Sequence, residues 1–179
     1  LQGGMNVILE VETSEVIKNM AGKTRDQAFL TAFDKAQSRY LGQQNFVDLL
    51  AKEYNAASPD GKLASIFYNK GLENELPNGF ESSNQEIYDY LKRESESAIS
   101  NAFEIISTRI DKFGVAQPNV QRLDNGRILV ELPGVDDPER VRKILQSSAK
   151  LEFWNVFPNY KGYEYLEAVN KIVYGVNKL

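Results

Sequence analysis

The residues of this chain that could do chemistry are few, and they come in pairs rather than in constellations. Asp136-Asp137 has the form of a carboxylate pair for acid–base work or for a divalent metal. Pro138 directly behind it favours a plainer role, with Asp137 capping a helix and Pro138 as its first residue, where the missing N–H costs nothing. Asp124-Asn125-Gly126 opens like a calcium loop but lacks the repeating oxygen ligands and the closing bidentate Glu; a hairpin turn accounts for it. Gly3-Gly4 is not a phosphate cradle, because no helix start follows within reach and no Lys-Ser or Lys-Thr completes it. Glu94, Glu96, Glu104, Arg109 and Asp111 fit a solvated helix face with small pairwise contributions, and Tyr88 and Tyr90 fit packing. No residue is therefore assigned to catalysis, to a cofactor or to a metal.

Composition points the same way. The 179 residues include no Cys and no His, which removes thiol nucleophiles, zinc–thiolate sites, the Ser-His-Asp triad and the usual transition-metal ligand. A net charge of −4 and a pI near 5.1 argue against a nucleic-acid surface, which needs a concentrated basic field. With 42% hydrophobic residues and a mean hydropathy of −0.43 the chain should fold and dissolve, and no stretch is long and apolar enough to cross a bilayer. It begins at Leu1 without an initiator Met or a signal segment, and reads as a piece of a longer protein.

The elements that position these residues centre on Ser83 to Phe157. Ser83 and Glu86 form a capping box. Ile87, Leu91, Ala98, Ala102, Ile105, Ile106 and Ile110 then recur at helical spacing, up to a left-handed cap at Gly114. A strand around Asn119 to Leu123, a turn, a strand from Arg127 to Leu132, a helix after Asp137 and a strand from Leu151 to Phe157 follow. One strand is missing at the front, and Met5 to Glu12 supplies it, with Met5, Val7, Leu9 and Val11 on one face and Asn6, Glu10 and Glu12 on the other.

This order predicts an α+β fold: a ferredoxin-like split βαββαβ unit, with a four-stranded antiparallel sheet and two helices on one face. Residues 1–12 and 83–157 form that base, 13–82 a helical insertion after the first strand, and 158–179 a C-terminal helix or the start of a further subdomain. Within the insertion, Thr13 or Ser14 caps a helix ending at Gly22, and Thr24 with Gln27 caps one carrying Phe29, Ala32, Phe33, Ala36 and Tyr40. Asn45 to Tyr54 forms a third, and Lys62 to Lys70 a short helix or an extended run.

If the inward parity faces the helices, then Ile8, Leu129, Trp154 and Val156 share the outward face of the sheet. Such a patch is rarely left wet; either the helix from Tyr163 covers it or another domain or protein docks there. Gly3, Gly4 and Gly162 are hinge candidates at the two ends of the base.

Several segments resemble the SecD family: Arg109-Ile110-Asp111-Lys112-Phe113-Gly114-Val115, then Pro118 and Gln121-Arg122, then Arg127 to Val135 with Pro133-Gly134, then Leu151-Glu152-Phe153. Leu1-Gln2-Gly3-Gly4 is similar to the end of that family's Gly-Leu-Asp-Leu-x-Gly-Gly motif. SecD, often fused as SecDF, is a bacterial membrane subunit that assists export through the Sec translocon. The resemblance implies a first periplasmic domain on the outer side of the inner membrane, acting as a structural lever rather than a catalyst. Arg109, Asp111, Gly114, Pro133 and Gly134 would be its structural motif residues, with no cofactor. The implied partners are SecF, the SecYEG translocon and translocating unfolded polypeptide, and the proton-carrying carboxylates would lie in transmembrane helices. Two other readings share the predicted fold: a ligand-binding regulatory module, and the periplasmic domain of SecF or another proton-driven exporter.

Overall fold

The structure, a computed structural model, describes residues 4–114, 117–135 and 137–146. The chain divides into two units, Leu1–Leu145 and Gln146–Leu179, and every described residue but Gln146 lies in the first.

Alternation of apolar and polar residues in Gly4–Glu10 (β1) and Arg127–Pro133 (β3) makes two-faced strands, and Asn119–Arg122 (β2) joins them. The sheet is antiparallel with order β1-β3-β2; Val7 pairs with Val130, and Val120 pairs with Val130 from the other side. The β2–β3 turn runs through Asn125 and Gly126, both at positive φ (59° and 73°). The inward side chains Met5, Ile128, Val130 and Leu132 are buried against Ile106 and Ile110 of Asn84–Phe113 (α5) and Val141 and Leu145 of Pro138–Gln146 (α6).

Between β1 and α5 the chain builds a helical lobe from Thr13–Ala21 (α1), Gln27–Arg39 (α2), Phe46–Ala57 (α3) and Ala64–Phe67 (α4). Its core contains Phe29, Phe33, Phe46, Leu50, Tyr54, Leu63 and Phe67, closed by Ile87, Tyr88, Tyr90 and Leu91 from the first two turns of α5. Phe29 meets Phe67 edge-on at 5.5 Å, and Phe33 meets Phe46 at 5.3 Å. The 30 residues of α5 begin in a capping box: Ser83 Oγ accepts from the Glu86 N–H, and the Glu86 carboxylate accepts from the Ser83 N–H at 2.7 Å.

Several sequence expectations are corrected. The molecule is helix-rich, with three strands and six α-helices among the described residues, not a four-stranded ferredoxin-like sheet with two helices. Residues 13–82 are the physical reason: they bury an aromatic core of their own, so the lobe is a full layer of the structure. The strand expected at Leu151 to Phe157 and the helix from Tyr163 lie outside the described residues. The cap of α2 is Asp26, which accepts from the Phe29 N–H at 2.7 Å, and Thr24 instead accepts from the Asp26 N–H. Glu12, not Thr13 or Ser14, precedes α1, without a side-chain cap. Ile105 points to solvent at 51% exposure, and Ile99 takes the buried position expected for Ala98.

Candidate interaction surface

The outward face of the sheet is set by parity: with Met5, Val7 and Leu9 turned to the core, Asn6, Ile8 and Glu10 must turn away. Register then places Ile8 opposite Leu129, and Gln121 flanks Leu129 on β2. Ile8 is 56% exposed and Leu129 half-buried, so the structure brings two of the four expected patch residues side by side. Trp154 and Val156 lie outside the described residues.

Beside this apolar pair runs a polar row that the sequence reading did not single out. The Glu131 carboxylate accepts from Asn119 Nδ2 at 2.6 Å on one side and from Asn6 Nδ2 at 3.3 Å on the other. Gln121 Nε2 donates to Asn119 Oδ1 at 3.1 Å, which carries the row along β2. The signal was present: these residues share one strand parity, but only the register shows that they meet. A shallow depression of about 340 Å³ opens at the end of this row, lined by Gly4, Gln117, Asn119, Glu131 and Pro133 among others. The arrangement offers a contact surface, with a carboxylate whose oxygens already accept two amide donors.

The remaining motif residues fall at element ends. Arg109 reaches from α5 to the last turn of α6, where Nη1 donates to the Ile144 carbonyl at 3.2 Å and lies 3.5 Å from that of Leu145. A cation at these carbonyls complements the negative end of the helix dipole. The Gly114 N–H approaches the Asp111 carbonyl, and Gly114 adopts φ +71° as the left-handed cap. Pro133 ends β3 opposite Gly4, and Gly134 turns the chain at φ +69°. Asp137 Oδ1 accepts from the Arg140 N–H, the cap expected for α6. Gly4 is the exposed first residue of β1; Gly3, Gly162 and Asp136 lie outside the described residues.

Burial pushes the Tyr88 hydroxyl up to about 12, while burial and then Glu10 raise Tyr40. Among the described residues no cluster of three or more acidic side chains could hold a metal ion.

Residues 99–157, which include the second half of α5, both later strands and α6, match the family described as Protein translocase subunit SecDF, P1 domain, N-terminal. Over 158 residues, 86% of the chain, the sequence is 39% identical to the protein translocase subunit SecD of Rhodothermus marinus. The chain belongs to the SecD family. It is also 28% identical over 165 residues to SecD of Acetobacter pasteurianus, and 45% identical over 69 residues, 37% of the chain, to SecD of Koribacter versatilis. It spans 24% of the Rhodothermus SecD, 31% of the Acetobacter SecD and 13% of the Koribacter SecD. No solved structure matches the chain at a significant level. SecD is a translocase subunit family, not an enzyme family.

Proposed function

We propose that this chain serves protein export as the first periplasmic domain of a SecD-type translocon subunit, and that its role there is mechanical. The match to SecD over 86% of the chain carries the reading. In this reading the domain faces the outer side of the inner membrane, and SecF and SecYEG are its partners. The full-length protein draws on the proton gradient to help translocating polypeptide across.

The described part has the build of a stiff coupler. Helix α5, about 45 Å long at 1.5 Å per residue, places side chains in both the lobe core and the sheet core. A displacement at one end is thus carried to the other as rigid-body motion, and Gly3, Gly4 and Gly162 remain the proposed hinge positions. Ile8 and Leu129, side by side on the outward face of the sheet, form the contact for a neighbouring domain of the same translocase.

Cells depleted of the full-length protein should accumulate unprocessed precursors of exported proteins. Wild-type protein should clear them, and Ile8→Asp, at an exposed position, should clear them more slowly with no change in the domain's melting temperature. Normal export in depleted cells would remove the proposed role. Full rescue by Ile8→Asp would remove only the contact surface.

A further inference from the structure

The two apolar cores share no residue, and between them α5 carries a buried hydroxyl where a hydrophobe is expected. Leu91 closes the lobe core and Ile106 belongs to the sheet core; between them the buried residues of α5 are Ser95 and Ile99. At that level a cavity of about 100 Å³ lies between α5, the residues that join α2 to α3, the start of α1 and the β2–β3 turn. Its polar lining comes from Thr13, Gln44, Asn45, Lys92, Ser95 and Asn125.

Ser95 is 4% exposed, and its Oγ has no hydrogen-bond partner among the described residues. A buried hydroxyl left unpaired is destabilising on the scale of a lost hydrogen bond, so a partner is expected. Nearby charged and polar groups are engaged elsewhere. Lys92 Nζ pairs with Asp48 Oδ1 at 2.6 Å, Glu96 pairs with Arg122, and Asn45 Oδ1 accepts from the Val47 N–H. The space is several times the ~10–15 Å³ that one bound water needs and well below the ~300 Å³ of an organic-ligand pocket.

We infer that this cavity is a hydration site: ordered water bonds Ser95 Oγ and bridges α5 to the α2–α3 connection and the Asn125-Gly126 turn. The lobe is joined to the sheet layer here through water where packed side chains are interrupted.

Water–protein NOE spectroscopy on the 179-residue chain tests this without any variant. Long-lived water cross-peaks are expected at Ser95 and at a backbone amide of Asn45 or Gly126. Ser95→Ala should weaken them and lower the melting temperature by about 3 °C, the shift expected for one hydrogen bond in a chain of this size. Absence of long-lived water at Ser95, or a Ser95→Ala chain that melts at or above the wild-type temperature, overturns the inference.

Discussion

Gly61 shows how tightly single positions of the lobe are specified. A Cβ built there would lie 2.5 Å from Tyr54 Oη and 2.5 Å from Ser58 Oγ, and Tyr54 is 1% exposed, with no room to retreat. Asn84 holds the same loop from the start of α5: its Nδ2 donates to the Gly61 carbonyl at 2.7 Å and its Oδ1 accepts from the Leu63 N–H at 2.9 Å. Gly61→Ala is therefore expected to cost about 1–3 kcal/mol by overpacking, read as a lower denaturant midpoint. An unchanged midpoint would show that the loop yields freely. The residue types of Pro59-Asp60-Gly61 suit a turn, but the need for glycine comes from Tyr54, a partner no local pattern identifies.

Helix α5 is the element that both the sequence and the structure describe most fully. Its start was written in Ser83 and Glu86, and its end in Gly114. At Gly114 an added Cβ would meet nothing within 4 Å among the described residues, so the penalty expected arises from the backbone at φ +71°. Gly114→Val should thus cost over ~1 kcal/mol, because a β-branched residue resists the left-handed cap. Chemical denaturation measures this directly, and equal stability would place the helix end elsewhere. The inner face of α5 was less legible: Ser95 breaks the apolar stripe at a position set by two separate cores, and Arg109, read as a solvated charge, spans to the end of α6.

For the whole molecule, the chemistry of the lobe core predicts alkaline sensitivity. Tyr54, Tyr88 and Tyr90 all lie in that core, and burial is the leading cause that raises each, Tyr88 to about 12. A raised folded pKa contributes stability that is fully present below the unfolded value of 10.0 and is lost as pH rises toward the folded value. The melting temperature should fall between pH 10 and 12 as tyrosinate absorbance rises. Tyr88→Phe should soften the fall, at the expense of the 3.0 Å bond from its hydroxyl to Asn55 Oδ1. Melting unchanged up to pH 12 would contradict the burial of these rings. By itself the sequence determined what local chemistry controls: caps at Ser83, Asp137 and Gly114, strand parity in β1 and β3, and the segments that carry the family likeness. Only the tertiary structure decided that residues 13–82 form a layer with its own core, that Glu131 draws Asn6 and Asn119 together, and that a polar cavity lies at Ser95. Those outcomes rest on contacts between residues far apart in the chain, where register and packing select partners that composition and spacing leave open.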